Sequence, residues 1–126
     1  MKYLLDVNAL LAWAHPSSPH HARFHRWKKS VPAADLSTCS ITELGFVRVS
    51  MQHFGFDLAM SAQTLTALKT DIGHYLDNLP SPLLPAWAVH PTQTTDAYLC
   101  QLAAAHNVRL ATFDTGIRDR QALLIK

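Results

Sequence analysis

The feature that most constrains the fold is a short apolar run ending in an acid, which occurs near both ends of the chain. Tyr3–Leu5 runs into Asp6, and residues 108–113 run into Asp114. Runs that are apolar on both faces of an extended chain are typical of strands in a parallel sheet covered on both sides. We therefore predict two such strands, each with an acid at its carboxyl end, where ligands bind in open α/β sheets.

Both of these acids also have a structural explanation. Asp6 and Asp114 could each close a turn, and Asn8 could cap the helix that follows Asp6, because Asp and Asn favour both roles. A structural role and a functional role stay open for each residue taken alone. The question is whether other acids converge on the same edge of the sheet.

Strands and helices alternate along the rest of the chain. Apolar spacing predicts helices from the first acid to Ala14, over residues 20–30 and 40–51, as one or two helices over 58–79 divided near Gly73, and over 92–106. Further strands are predicted at residues 36–39, 87–90 and 123–125. This alternation predicts an α/β fold with a central, mostly parallel sheet and helices on both faces.

Length and composition set limits on the kind of protein. With 126 residues, 48% of them hydrophobic, residues 1–126 are expected to form a single domain with a proper core. The net charge of +2 is too small to argue for a nucleic-acid partner. Cys39 and Cys100 lack zinc-site spacing, so we expect buried thiols in a reducing cytoplasm. No apolar stretch approaches membrane-spanning length, which favours a soluble, unsecreted protein.

Two further acids lie where predicted helices begin. Glu43, the only glutamate in the chain, precedes Phe46 and Val47 by three and four residues. Asp96 precedes Leu99 by three residues. Residues at these spacings share a helix face, so both acids are predicted to face inward at the first turn of a helix.

Each of these two acids has its own structural alternative. Ser40 and Glu43 match a capping box, in which the serine bonds the N3 amide and the glutamate reaches back to the cap. Asp96 in a first helical turn is ordinarily explained by the helix dipole, worth roughly 0.3 to 1 kcal/mol when exposed. A ligand role and a capping role therefore both stay open.

Taken together, the four acids point to a metal site. Strand ends and helix starts lie on one edge of a βαβ sheet, so Asp6, Glu43, Asp96 and Asp114 can share a pocket. Carboxylates a few ångströms apart repel by roughly 4 kcal/mol per close pair at an effective dielectric near 20, so such a cluster requires a counter-ion. Oxygen-only ligands select Mg²⁺ or Mn²⁺, which can activate a water and stabilise charge on a phosphodiester.

A basic stretch follows the first predicted helix. Arg23, Arg26, Lys28 and Lys29 could follow a phosphate backbone of RNA, although a short run of cations on a helix is usually solvated surface. Four of the eight histidines lie between residues 15 and 25, but their spacings match no common metal-ligand motif.

The four acids stand in the segments Leu-Leu-Asp-Val-Asn (4–8), Ile-Thr-Glu-Leu-Gly-Phe-Val-Arg (41–48), Thr-Thr-Asp-Ala-Tyr-Leu (94–99) and Ala-Thr-Phe-Asp (111–114). In order and approximate spacing these segments resemble the four acidic motifs of PIN-domain ribonucleases, and most closely those of the VapC toxins of toxin-antitoxin modules. The resemblance covers nearly the whole chain. It implies a PIN-like α/β/α sandwich and metal-dependent cleavage of RNA by a homodimer, inhibited by a cognate VapB-like antitoxin.

The resemblance also implies roles for individual residues. The metal ligands would be Asp6, Glu43, Asp96 and Asp114, with Asn8 and Thr112 orienting ligands or water. Some members add an acid shortly after the fourth motif. Here Thr115 and Gly116 follow, and the next acid is Asp119, so no fifth ligand is assigned.

Two other functions compete with the nuclease. In a haloacid-dehalogenase-like phosphatase an Asp-x-Asp motif follows the first strand, but Asn8 replaces the second acid, which removes the expected general acid. A non-catalytic PIN-like binding module would use the acids only as caps. The sequence leaves open whether transfer, ribosomal or messenger RNA is cleaved, since that depends on groove shape.

Overall fold

Strands and helices alternate in the computed structural model, which describes all of residues 1–126. The strands are β1 (Tyr3–Leu5), β2 (Leu36–Cys39), β3 (His74–Leu76), β4 (Arg109–Thr112) and β5 (Ala122–Leu124). The helices are α1 (Val7–Ala14), α2 (His21–Lys28), α3 (Ser40–His53), α4 (Leu58–Lys69) and α5 (Thr94–Ala105), with 3-10 turns at Ala33–Asp35 and Pro91–Gln93. The predicted α/β class is confirmed.

The sheet is parallel throughout, with the strand order β3-β2-β1-β4-β5. The chain builds outward from β1 to β3 and then returns to the other side of β1, where β4 pairs with it. Leu5 is in register with Ala111. The strand order therefore reverses between β1 and β4, and the crevice at such a switch point is where open α/β sheets bind ligands.

Apolar layers cover both faces of this sheet. Leu4 and Leu5 are fully buried and point to opposite faces, because successive strand residues alternate. The layer that contains Leu5 includes Leu10 of α1 and Phe46 of α3. The layer that contains Leu4 includes buried residues of α5 such as Leu99. The predicted sandwich with helices on both faces is confirmed.

Close contact between α1 and α3 depends on a small residue. A Cβ built on Gly45 would lie 2.5 Å from Val7 Cγ2, so any larger side chain there would push the two helices apart. Since Val7 directly follows Asp6 and Gly45 lies two residues after Glu43, this contact brings the helix starts that carry both acids together.

Three local predictions from the sequence are wrong. The N-cap of α1 is Asp6, whose Oδ1 accepts from the Val7 amide, and not Asn8. The capping box of α3 is formed by Cys39 and Thr42, one residue before the predicted pair. The third strand is not residues 87–90, which lie among turns; it is β3.

The helical prediction over residues 58–79 is correct only in its first part. Helix α4 ends at Lys69, and the apolar positions beyond it belong to β3 and its flanks. A three-residue strand is too short to show the period-two alternation that separates it from a helix. Hydrogen bonding decides the matter, because the Gly73 amide donates to the Ala33 carbonyl and Tyr75 is in register with Thr38.

Both cysteines lie buried as free thiols, which confirms the prediction for Cys39 and Cys100. None of the helices is both long and apolar enough to pass through a membrane.

Candidate active site

The Asp6 carboxylate occupies the junction of β1 and α1 and is 5% exposed. Its Oδ1 accepts from the Val7 amide at 2.7 Å, and its Oδ2 accepts from the Thr112 hydroxyl at 2.7 Å. The N-cap of α1, which the sequence predicted at Asn8, is therefore Asp6. Because the second oxygen points to β4 rather than to the helix, capping does not account for the whole of its surroundings.

The Thr112 hydroxyl connects three residues of the site. While it donates to Asp6, it accepts from the Asp114 amide at 3.0 Å and from Asn8 Nδ2 at 3.2 Å. Asn8 Oδ1 in turn accepts from the Phe113 amide at 3.1 Å. The end of β4 is thereby tied to the start of α1, and no buried side-chain nitrogen or oxygen of this network lacks a hydrogen-bond partner.

Asp114 is exposed and takes part in a turn, since its Oδ1 accepts from the Gly116 amide at 2.7 Å. The turn role predicted as an alternative is therefore present. It does not exclude a second role, because the charge of Asp114 also acts on the two other aspartates.

The three aspartates repel one another. Burial, together with the charges of Asp6 and Asp114, raises the pKa of Asp96 to about 6. Burial also raises the pKa of Asp6; hydrogen bonds from Thr112 and Val7 lower it, and the charge of Asp114 adds to the increase. We call Asp6, Asp96 and Asp114 the aspartate cluster. The negative charges of this cluster are not balanced by a cation of the protein, so the cluster is a candidate binding site for a cation.

Glu43 has partners of its own. Its Oε2 accepts from the Thr38 hydroxyl at 2.6 Å, and its Oε1 lies 3.1 Å from the Lys69 ammonium. The side chain is 13% exposed, so it faces inward as predicted, but its charge is already balanced by that of Lys69. It is not among the charges that raise the pKa values of Asp6 and Asp96.

The donor chemistry of the site suits a hard divalent cation. The aspartate cluster offers only oxygen ligands, and none of its carboxylates pairs with a basic side chain. Such oxygen sets select Mg²⁺ or Mn²⁺. No three His, Cys, Asp or Glu side chains stand in an arrangement that could hold an ion without movement, so the ligands would have to draw together around it.

The four basic side chains on and just after α2 have different surroundings. The Arg23 guanidinium lies over the Phe113 ring, 5.3 Å from its centroid, and donates to His20 Nδ1. The His20 ring stacks on the same phenylalanine at 4.5 Å. These contacts hold Arg23 against Phe113, the residue that directly precedes Asp114 in the chain.

The other three cations lie elsewhere. The Lys28 ammonium lies 4.7 Å from the centroid of the Trp13 ring, whereas Arg26 and Lys29 are exposed. Of the histidines nearby, His15 is buried with its Nε2 2.9 Å from the Ser50 hydroxyl, and it takes no part in the acidic site.

Sequence reasoning did not identify Lys69 and Thr38 as members of the site. Lys69 ends α4, and no motif connects it with Glu43 26 residues earlier. Thr38 was assigned only to a strand. A hydroxyl one residue before the end of that strand was the only available signal.

Both carboxylate oxygens of Asp119 are engaged by hydrogen bonds. Its Oδ2 accepts from the Trp87 indole at 2.9 Å, and its Oδ1 accepts from the Gln121 amide at 2.8 Å. These two bonds give Asp119 a structural role.

Comparisons with known proteins agree with this fold. The family model of the PIN domain matches residues 3–123. Ribonuclease VapC38 of Mycobacterium tuberculosis is 39% identical over 125 residues, which cover 90% of this chain and 86% of that protein. Ribonuclease VapC44 of the same species is 35% identical, covering 93% and 89% of the two chains. Ribonuclease VapC39 is 33% identical, covering 94% and 93%.

Solved structures share the fold at lower identity. A chain in the structure of FitAB bound to an IR36 DNA fragment aligns with a TM-score of 0.67 and 19% identity, over 90% of this chain and 86% of that one. PAE2754 from Pyrobaculum aerophilum aligns with a TM-score of 0.58 and 19% identity, over 96% and 76%. At this identity the likeness concerns the fold alone.

Proposed function

This chain belongs to the PIN-domain family, and on that premise we propose that it is a metal-dependent endoribonuclease and the toxin of a toxin-antitoxin module. The observation that carries the proposal is the aspartate cluster at the switch point of the sheet: the charges of Asp6 and Asp114 help to raise the pKa of Asp96, and none of the three carboxylates has a basic partner. Relatives that match over nearly the whole chain carry the name ribonuclease. The chain would act as a single PIN domain in the cytoplasm.

We infer that Asp6, Asp96, Asp114 and Glu43 are the catalytic acids and metal ligands. The first three share one electrostatic environment, which supports a common ion. Glu43 faces inward from the start of α3 but would have to leave Lys69 to join them. Asn8 and Thr112 would support the site by fixing Asp6 and the end of β4 through the hydrogen bonds described above.

The bound ion, Mg²⁺ or Mn²⁺, would supply an activated water and stabilise charge developing on the phosphodiester. The protein's own contribution is to hold the acids at one edge of a rigid sheet. Thr112 keeps the Asp6 carboxylate oriented, because its single proton is committed to Asp6 Oδ2. This proton also favours the ionised form of Asp6, which is the form that binds a cation.

RNA would approach along α2. Arg23, Arg26, Lys28 and Lys29 lie on this helix or immediately after it, and Arg23 contacts the ring that precedes Asp114. A phosphate backbone crossing α2 would therefore reach the aspartate cluster at the Arg23 end. Guanidinium groups suit this role because their planar fork matches phosphate oxygens.

Two protein partners are part of the proposal: a second copy of the chain and a VapB-like antitoxin. Helices α3 and α4 carry large apolar side chains that are between 44% and 65% exposed: Leu44, Met51, Leu58 and Met60. A partner that covered these side chains would remove them from water, which supports an interface on these helices. An arginine of the antitoxin would enter the acidic cleft, where paired carboxylates match its fork. Light scattering on the purified chain, alone and with the product of a neighbouring gene, measures both assemblies; a monomer that binds no such product would contradict them.

The deciding experiment is RNA cleavage by the purified chain with and without metal. We expect cleavage in Mg²⁺ or Mn²⁺ and none in excess EDTA, with an inactive variant purified in parallel to exclude a contaminating nuclease. Undiminished cleavage in EDTA would contradict the mechanism. A protein that cleaves no RNA under any condition yet binds a partner would instead be a non-catalytic PIN module. Sequencing the products of total RNA would identify the substrate class.

A further inference from the structure

Lys69 is the only basic side chain that pairs with one of the four acids. Its ammonium lies 3.1 Å from Glu43 Oε1, and the second oxygen of Glu43 accepts from Thr38 at 2.6 Å. Both oxygens of Glu43 therefore have strong partners in the protein without a metal ion. The three aspartates of the cluster have no comparable counter-charge.

We propose that Lys69 is a positioning residue that competes with the divalent cation for Glu43 and thereby sets the affinity of the site for metal. The inference rests on the proposed function, because it takes Glu43 as a ligand in the metal-bound state. In the metal-free state, Lys69 keeps the fourth negative charge neutralised and away from the aspartate cluster. Binding of the ion exchanges one cationic partner of Glu43 for another.

The surroundings of Lys69 make this exchange feasible. Lys69 is the last residue of α4 and its side chain is 41% exposed, so the ammonium stays accessible to water when Glu43 leaves. Its ammonium also lies 4.9 Å from the centroid of the Tyr75 ring, which provides a second favourable contact. An ion pair that is open to solvent on one side, as this half-buried pair is at Lys69, contributes only about 1 kcal/mol or less, so a metal ion can displace it.

The test measures Mn²⁺ binding by electron paramagnetic resonance without RNA, which needs no catalytic turnover. Lys69→Met should bind Mn²⁺ about three- to fivefold more tightly than the wild type, because the competing cation is gone. Lys69→Arg should bind as the wild type does. Lys69→Gln, which keeps a donor without the charge, serves as a second variant if Lys69→Met folds poorly.

Two controls separate competition at Glu43 from a general effect of charge. In a Glu43→Gln background, the Lys69→Met substitution should change Mn²⁺ affinity less than about twofold, because nothing is left to compete for. Lys2 pairs with Asp35 at 3.7 Å at the opposite edge of the sheet, so Lys2→Met removes an equal charge far from the acids. It should also change the affinity less than about twofold.

The outcomes are distinguishable. Unchanged or weaker binding by Lys69→Met, or a gain that persists in the Glu43→Gln background, would overturn the role of Lys69 while leaving the ribonuclease proposal intact. Wild-type protein that binds no Mn²⁺, or binds it equally well after Asp6→Asn, would refute the metal site itself. In EDTA, Lys69→Met should melt a few degrees lower than Lys69→Arg, as expected when a half-buried pair is broken.

Discussion

The two sides of the acidic edge balance their charge differently. On the side of β1, β4 and α5, the aspartate cluster has no cationic partner, and the pKa of Asp96 is raised to about 6. On the side of β2 and α3, Glu43 is paired with Lys69 and bonded to Thr38. Only a cation from outside the chain can balance the charge of the aspartate cluster, whereas Lys69 already balances the charge of Glu43.

The four acids stand at equivalent places in the sequence pattern, at strand ends and helix starts, yet the structure balances their charges in two different ways. Repulsion among the aspartates lowers the free energy of unfolding of the metal-free protein. A bound cation would offset this repulsion and restore the stability. Glu43 has no such deficit, so the ion must displace Lys69 to use it.

The largest effect should come from removing one acid on each side. Asp6→Asn and Glu43→Gln keep the size of the side chain and most of its hydrogen bonding, so a purely structural residue would tolerate them. If both acids bind the ion, each substitution should reduce RNA cleavage in Mg²⁺ by at least about 100-fold.

Asp119→Asn is the matched control for these variants. Its carboxylate accepts from Trp87 and Gln121, a role that asparagine can keep in part, so cleavage should stay within about twofold of wild type. Near-normal cleavage by Asp6→Asn would defeat the assignment of the site. Near-normal cleavage by Glu43→Gln alone would mean that the Lys69 pair persists in the working enzyme.

Thermal stability in EDTA should change in opposite directions on the two sides. At pH 7.5, Asp96→Asn should raise the free energy of unfolding by about 1 kcal/mol, after allowance for its partial exposure, and the melting temperature by roughly 4 °C. Glu43→Gln should lower the melting temperature slightly, because it breaks the pair with Lys69.

The stability of the wild type should fall with rising pH as Asp96 ionises. Its pKa is about 6 when folded against a usual value of 3.8, so the unfolded chain loses its proton first as the pH rises. The wild type therefore loses stability between about pH 4 and pH 6, and the advantage of Asp96→Asn should grow over this interval and stay constant above it. An advantage that did not depend on pH would show that ionisation of Asp96 is not its cause.

The smallest effects should locate the RNA relative to the two sides. In EDTA, Arg23→Gln and Arg26→Gln should each reduce the slope of log affinity against log salt by about one, as expected for one lost phosphate contact. Only Arg23→Gln should also lower kcat, by about fivefold, because only Arg23 contacts the ring beside Asp114. Equal kcat values for the two variants would indicate that RNA does not enter from the aspartate side.

Local sequence patterns predicted most of the elements but not all of their boundaries. The strands at β1, β2, β4 and β5 and the breaks after Ala14 and before α5 follow from apolar runs and turn residues. The strand β3 was missed because three residues cannot display a period, and its neighbour β2 selects it through long-range hydrogen bonds. The opposite error occurred at residues 87–90. Their apolar pattern predicted a strand, but no neighbouring strand pairs with them.

The sequence alone determined which side chains can supply the chemistry: three aspartates and one glutamate, each at a strand end or a helix start. Those positions follow from local rules, because the chemistry of an apolar run and of a helix start acts over a few residues. The tertiary structure decided how the charges are distributed among them. The strand order places β1 beside β4 and so brings Asp6 and Asp114 together, and α4 ends where Lys69 reaches Glu43. Pairings between residues 26 to 108 positions apart depend on packing of the whole chain, and no local pattern encodes them.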